Sequence, residues 1–110
     1  MKIELKFKKE YLDLLKEGIK TSTIRKHSDL KKNDTFYFID YEVNNDLRSL
    51  IKNYDFRVTD VERIRFDEIN DEIAKSEGFL HKNLLKRELK MIYSNLEDSD
   101  LLYLIKFKRI

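Results

Sequence analysis

The segment Gly18-Ile-Lys-Thr-Ser-Thr-Ile-Arg25 lies between a predicted helix and a polar turn. Residues Lys8–Glu17 repeat apolar side chains at helical spacing, and Gly18 is a residue type that commonly ends a helix. Thr21–Arg25 is rich in β-branched side chains, which favour a strand or an extended loop. The chain is therefore predicted to pass from a helix directly into extended backbone.

Further strands are predicted where apolar and polar side chains alternate, as they do in half-buried strands. These strands cover Lys2–Phe7, Thr35–Glu42, Tyr54–Phe66 and Asp100–Ile110. Phe36 and Phe38 are predicted to face the same way, and a bulge is expected before Val61. Val43–Asn53 is ambiguous, because Asn44–Asp46 indicates a hairpin connection that a short helical turn could follow.

Two more helices are predicted in the second half of the chain, over Asp67–Ser76 and His81–Leu96. The polar turn Asp29–Asp34 contains Asn33, a residue type that suits a left-handed backbone conformation. The order β-α-β-β-β-α-α-β indicates an α+β fold, with a curved, mostly antiparallel sheet or small barrel and helices packed outside. We expect a single domain over residues 1–110.

The composition excludes several classes of protein. The 110 residues are 41% hydrophobic and 40% charged, and they include no cysteine, which rules out a disulfide scaffold, a thiolate metal site and a cysteine nucleophile. His27 and His81 have no third ligand at a metal-binding spacing, so neither a metal nor another cofactor is expected. No apolar run approaches the ~20 residues of a membrane span, and no signal-peptide pattern opens the chain. We therefore expect a soluble, cytoplasmic protein.

Charge is distributed unevenly along the chain, although the net charge is only +2. Residues 1–32 hold ten basic and five acidic side chains, residues 33–77 hold six and twelve, and residues 78–110 hold seven and four. If the two ends lie together, they form a basic face that fits a phosphate backbone. The alternatives are ordinary solvated faces, or an acidic middle region that binds another protein.

Lys20 and Thr23 are the candidate reactive residues of the opening segment. Side chains alternate along extended backbone, so Thr23 and Arg25 are predicted to point away from Lys20, and Lys20 meets Thr23 only if the backbone turns between them. If they meet, a desolvated, neutral lysine is a general base that activates a hydroxyl nucleophile. The plainer interpretation is a surface lysine beside a strand threonine.

Glu77 is the candidate proton donor. It precedes Gly78 at the end of a predicted helix, where the helix dipole opposes a negative charge. A carboxylic acid near the nucleophile would protonate a departing amine. The alternative is a solvated glutamate in a frayed helical turn.

The same residues resemble the ASCH domain, a small relative of the PUA domains that bind RNA. The matching motifs are Gly18–Arg25, Lys32–Thr35, Phe66-x-x-Ile69, Ala74-x-x-Glu77-Gly78 and Leu104-Ile-x-Phe107. The resemblance implies a PUA-like small mixed β-barrel with flanking helices and a cleft bordered by the Lys-Thr segment. Asn33 departs from the family, which usually has glycine at that position.

The resemblance implies more than one function. One bacterial branch of the family hydrolyses N4-acetylcytidine, and by motif Lys20 matches its proton acceptor, Thr23 its nucleophile and Glu77 its proton donor. The alternative is a non-catalytic RNA-binding module, and another branch has nuclease activity. In either case we expect a monomer that binds a modified nucleoside or RNA. The residues expected to contact this ligand are Arg25, Lys26 and Thr21.

Overall fold

A computed structural model of the chain describes residues 2–43 and 49–110. Its elements are β1 (Lys2–Glu4), α1 (Lys9–Lys16), β2 (Ser22–Arg25), β3 (Thr35–Val43), β4 (Ser49–Arg65), a 3-10 turn (Phe66–Glu68), α2 (Asp71–Ser76), α3 (Lys82–Ile92) and β5 (Leu101–Arg109). The strands form one sheet in the order β1-β3-β4-β5-β2. Only the β1–β3 pair of this described sheet is parallel. The sheet curls into a half-barrel flanked by helices, which confirms the predicted α+β architecture.

Two apolar clusters hold this architecture together. The first packs α1 against β3, β4 and β5 around buried side chains such as Leu15, Phe36 and Phe107. The second packs α2 and α3 against β2 and β5 around residues such as Ala74 and Leu89. Strand β5 contributes to both clusters, so the two halves of the molecule meet along it.

Stacked aromatic rings fill the first cluster. Phe36 pairs with Phe56 across β3 and β4, and their ring centroids lie 5.4 Å apart. Phe38 pairs with Tyr54 in the same register at 5.0 Å. Such cross-strand pairs are the main side-chain contacts that stabilise a sheet. Phe36 and Phe38 share one face as predicted, and both are buried in the core.

Some strand boundaries differ from the prediction. β1 ends at Glu4 instead of Phe7, because the chain leaves the sheet there and packs Phe7 against the aromatic stack. β4 begins at Ser49 instead of Tyr54, since its pairing with β3 runs back to Val43. The predicted bulge before Val61 is confirmed by a register shift between residues 58 and 60. The predicted connection at residues 44–46 lies outside the described residues.

The prediction of one helix over Asp67–Ser76 is wrong. Asn70 divides it, because its side chain accepts a hydrogen bond from the Ile73 amide at 2.9 Å and so caps the start of α2. The last helix, α3, ends at Ile92 instead of Leu96, and a turn follows. Across residues 2–43 and 49–110, the structure contains no helix with the length and apolar character that a membrane span requires.

We predict that Phe36→Ala lowers the free energy of unfolding by about 3–5 kcal/mol, because it removes a fully buried ring from the aromatic stack. Urea unfolding followed by circular dichroism measures this change. The matched control is Leu80→Ala, since Leu80 is 74% exposed and its truncation should change stability by less than about 0.5 kcal/mol. Equal effects of the two substitutions would contradict the described core.

Candidate active site

A cavity of about 170 Å³ lies where the two apolar clusters meet. The polar side chains that line it include Lys20, Thr23, Arg25 and Glu77. Aromatic side chains surround them, namely Phe7, Tyr11, Phe79 and Tyr93. A few convergent polar groups within an apolar pocket are typical of a small-molecule site.

The turn after α1 brings Lys20 into this cavity. Gly18 adopts φ of +75°, and the amides of Ile19 and Lys20 both donate to the Leu14 carbonyl, at 2.9 and 3.0 Å. The backbone therefore reverses before β2 begins at Ser22. Lys20 and Thr23 consequently line the same cavity, with only 4% and 5% of their surfaces exposed.

The end of α2 brings Glu77 to the same place. Its amide completes the helix by donating to the Ile73 carbonyl at 3.1 Å, and the next residue, Gly78, adopts φ of +92°. A β-carbon at Gly78 would lie 2.9 Å from Cδ1 of Leu14 on α1. Glycine therefore allows the end of α2 to lie close to α1, and Glu77 is left 3% exposed.

Lys20 and Glu77 form a buried pair, with Nζ of Lys20 3.5 Å from Oε2 of Glu77. Burial lowers the pKa of Lys20 below its usual range, because desolvation disfavours the ammonium form. The charge of Glu77 and its contact with Nζ act in the opposite direction, and the nearby charge of Arg25 adds to the lowering. The site therefore favours a lysine that gives up its proton more readily than a surface lysine does.

Two serine hydroxyls connect Glu77 to the backbone of α2. Ser22, on β2, is fully buried, and its Oγ makes a hydrogen-bonding contact with Oε2 of Glu77. The same Oγ lies 2.8 Å from Oγ of Ser76. The Ser76 hydroxyl in turn donates to the Ile73 carbonyl at 2.7 Å. Glu77 is thus positioned by a chain of contacts that runs away from the cavity.

Arg25 contacts Thr23, the candidate nucleophile. Its Nε donates to Oγ1 of Thr23 at 3.3 Å, and its Nη2 donates to the Lys6 carbonyl at 3.1 Å. The guanidinium carbon lies 5.0 Å from the centre of the Phe7 ring. These contacts fix the cationic group beside the Thr23 hydroxyl.

Aromatic and charged side chains complete the cavity. Nζ of Lys20 lies 5.1 Å from the centre of the Tyr11 ring, and burial together with Glu88 raises the pKa of the Tyr11 phenol. Lys8 and Glu88 form an exposed ion pair at 2.7 Å that links the start of α1 to α3. The Tyr93 hydroxyl accepts a hydrogen bond from the Lys26 amide at 3.4 Å.

The structure brings together four of the six predicted site residues. Lys20, Thr23, Arg25 and Glu77 share the cavity, whereas Thr21 is exposed and lines a separate cavity with residues of β5. Lys26 lies beside this site and contacts Tyr93 through its backbone. No group of three or more potential metal ligands occurs within the described ranges 2–43 and 49–110.

No sequence motif marks Ser22, Ser76, Tyr11 or Tyr93 as parts of the site. Ser22 and Ser76 occupy variable positions within the family motifs, and they meet across 54 positions of the chain. Tyr11 is one of the side chains at helical spacing that predict the helix over Lys8–Glu17. A tyrosine on the apolar face of a helix has a polar hydroxyl as well as an apolar ring. This hydroxyl is the feature of the sequence that could have indicated a place in the site.

Comparisons with known proteins place this fold among solved structures. Hypothetical protein PH0355 is 18% identical, with a TM-score of 0.72, and the alignment covers 100% of both chains. An ASCH domain from Lactobacillus crispatus is 18% identical with a TM-score of 0.64, over 98% of this chain and 79% of that one. Protein EF3133 from Enterococcus faecalis has the same identity and TM-score over 89% of this chain, and the alignment spans 65% of its own length.

The family is shown by the sequence itself. No curated protein matches the chain. The family model of the ASCH domain matches residues 2–110, which is nearly all of the sequence and includes Lys20, Thr23, Arg25 and Glu77. The protein therefore belongs to the ASCH domain family.

Proposed function

We propose that the protein is an amidohydrolase that removes the acetyl group from N4-acetylcytidine or a related acylated nucleoside. The observation that supports this proposal is the convergence of the buried side chains of Lys20, Thr23 and Glu77 in one cavity. A hydroxyl, a lysine of lowered pKa and a carboxyl group are the parts that amide cleavage through a covalent intermediate requires. In this reaction Thr23 is the nucleophile, Lys20 the base and Glu77 the acid.

The reaction begins from a pair in which Lys20 is neutral and Glu77 is protonated. This neutral pair and the ion pair of the Lys20 ammonium with the Glu77 carboxylate contain the same number of protons. One forms from the other when a single proton moves from Nζ of Lys20 to Oε2 of Glu77. Lys20 accepts the proton of the Thr23 hydroxyl as Oγ1 attacks the acetyl carbonyl. Glu77 gives its proton to the N4 nitrogen as the carbon–nitrogen bond breaks, and cytidine leaves.

A water molecule then completes the cycle. It attacks the acetyl-Thr23 ester and gives one proton to the Glu77 carboxylate, while Oγ1 of Thr23 recovers its proton from the Lys20 ammonium. Acetic acid is released, and all three residues return to their starting states. The two steps therefore balance without a further reactant.

Arg25 is suited to stabilise the negative charge that develops during both steps. Its Nε lies 3.3 Å from Oγ1 of Thr23, so its charge is next to the oxygen that attacks the carbonyl. The backbone contact with Lys6 and the Phe7 ring hold the guanidinium in place before substrate binds. A cation that is already held in position stabilises the charge of a transition state without having to reorganise during the reaction.

The aromatic lining supports a planar substrate. Tyr11 and Phe79 lie edge to face, with ring centroids 6.3 Å apart, and both line the cavity with Tyr93. Aromatic side chains of this kind stack against unpaired bases. The proposed substrate has a planar base and an amide attached directly to it, which matches this lining and the reactive residues.

A second candidate function is supported by the basic side chains Lys6 and Lys8, which line the same cavity. Lysines at this position would contact the phosphates next to a base held in the cavity. The domain would then bind RNA, with or without cleaving an acetyl group from it. Binding of RNA that survives Thr23→Ala, without turnover by the unmodified protein, would favour this function.

We predict that Thr23→Ala lowers kcat for acetate release from N4-acetylcytidine by at least about 10³-fold, because it removes the nucleophile. Thr23→Ser keeps the hydroxyl and should retain activity within about tenfold. Acetate release by the purified variants is the measurement. An alanine variant that folds normally and keeps more than a tenth of the activity would contradict the proposed nucleophile.

We also predict a bell-shaped dependence of kcat/KM on pH. The Lys20–Glu77 pair is active when Nζ of Lys20 and Oε2 of Glu77 together carry one titratable proton, and it is inactive with two or with none. At low pH a second proton keeps Lys20 charged, so no base is available. At high pH the pair loses its last proton, so no acid is available. Since burial lowers the pKa of Lys20, the alkaline fall should have its midpoint below the usual lysine value of about 10.4.

The pH profile has an internal control. Lys108 is an exposed lysine on β5, and Lys108→Met should leave both limbs of the profile unchanged. If kcat/KM stayed constant up to and beyond pH 10.4, the predicted alkaline fall would be absent, and this result would contradict the proposed role of the Lys20–Glu77 pair.

A further inference from the structure

Another cavity, of about 580 Å³, lies beside a different face of α3 from the candidate active site. Glu88 and Ile92 of this helix line the candidate active site, whereas Lys86, Arg87 and Lys90 line the other cavity, the α3 groove. Among the residues that the structure describes, the two cavities have no lining residue in common. The α3 groove is therefore a separate place for a ligand.

Two ammonium groups of the α3 groove converge on one aromatic ring. Nζ of Lys86 and Nζ of Lys90 lie 5.5 and 5.4 Å from the centre of the Phe66 ring. Like charges four positions apart on a helix repel each other and destabilise it. The ring attracts each ammonium group but has no net charge, so it does not cancel the repulsion between them. An anion that binds to both groups would cancel it.

The protein's own carboxylates do not supply that anion. None of the ion pairs within residues 2–43 and 49–110 includes Lys86, Arg87 or Lys90. Asp67, which follows Phe66 in the chain, is paired with Arg65 at 2.8 Å. Asp98 is the acidic residue that lines the groove, and it belongs to none of these pairs either. The formal charges of the groove are therefore three positive and one negative, which leaves an excess of positive charge.

The remaining side chains of the groove favour a nucleic acid over an acidic peptide. Met91 and Asn83 line the groove together with the cations, and Met91 is 72% exposed. A methionine side chain packs well against flat aromatic groups, and an amide forms hydrogen bonds with the edges of bases. Lysine and arginine bind phosphate oxygens. A glutamate-rich peptide would use the cations alone, whereas a nucleotide uses all three kinds of side chain.

We propose that the α3 groove binds the phosphate backbone of a single-stranded nucleic acid, with Lys86 and Lys90 on the same phosphate group. Arg87 binds the next phosphate, because its planar guanidinium suits two phosphate oxygens at once. In a single strand the bases are unpaired, so they are free to contact Met91 and Asn83. This inference goes beyond the proposed function, since it requires neither the reactive cavity nor an acetyl group.

Fluorescence anisotropy of a labelled single-stranded oligocytidine, titrated with the full chain at several salt concentrations, tests the inference. Replacing Lys86 and Lys90 together by methionine removes both charges and keeps apolar stems beside the Phe66 ring. This double variant should bind roughly tenfold more weakly at low salt, and its slope of log K against log salt should be smaller by about 0.7, the value for one phosphate contact. No detectable binding by the unmodified protein at low salt would overturn the inference.

A matched variant and a competitor show whether the groove itself is responsible. Lys31 and Lys32 are both exposed and lie outside the groove, so replacing both by methionine removes the same charge and should change the affinity less than about twofold. Equal losses in the two double variants would overturn the inference, because only the total charge would then matter. Displacement of the labelled strand by polyglutamate as readily as by unlabelled oligocytidine would overturn it as well, since the groove would then suit an acidic peptide.

The groove and the reactive cavity can be tested apart. Thr23→Ala should bind the oligocytidine as the unmodified protein does, and the double variant of Lys86 and Lys90 should release acetate from free N4-acetylcytidine at the unmodified rate. Binding that depends on these lysines, in a protein that hydrolyses no acetylated nucleoside, would support the inference and refute the proposed function. Hydrolysis of the nucleoside, with an oligocytidine affinity that the double substitution leaves unchanged, would overturn the inference alone.

Discussion

The burial of Lys20 against Glu77 is the contact on which the rest of the site depends. Removing two ionisable groups from water costs more than their attraction returns unless further partners satisfy them. Here the 3.5 Å contact is supplemented by the Ser22 hydroxyl on one side and the Tyr11 ring on the other. A fold that needed only stability would gain from apolar residues at both positions. Their presence at these two positions is what the proposed reaction requires.

The fold supplies this contact by joining two separately packed halves. α1 belongs to the first apolar cluster and α2 to the second, and Lys20, Thr23 and Glu77 come from the turn after α1, from β2 and from the end of α2, respectively. The Thr21 amide donates to the Ser76 carbonyl at 2.8 Å, and the Phe107 amide donates to the Thr21 carbonyl at 3.1 Å. These two bonds fasten β2 and α2 together beside β5, so the cavity is held by backbone as well as by side chains.

Patterns among neighbouring residues in the sequence were sufficient to predict much of the fold. They also indicated the part of the site that Lys20 and Thr23 form. Helical spacing before Gly18 and alternation around Phe36 each depend on neighbouring residues, and both features were confirmed. The approach of Glu77 to β2 depends on tertiary contacts across 55 positions, which no local pattern contains. The expected alternation of side chains along extended backbone does not hold at Thr21, because the regular backbone of β2 begins only at Ser22. The turn at residues 18–20, rather than one inside the strand, is what allows Lys20 and Thr23 to share the cavity.

The most direct test of this account is an NMR titration of the Lys20 side chain, with its signal assigned from the Lys20→Arg variant. Because burial outweighs the opposing charge of Glu77, the midpoint should fall below the usual lysine pKa of about 10.4. Glu77→Gln removes the negative charge that supports the ammonium, so it should lower the midpoint further. A midpoint at or above 10.4 in the unmodified protein would show that Lys20 is an ordinary charged lysine, and it would contradict the proposed base.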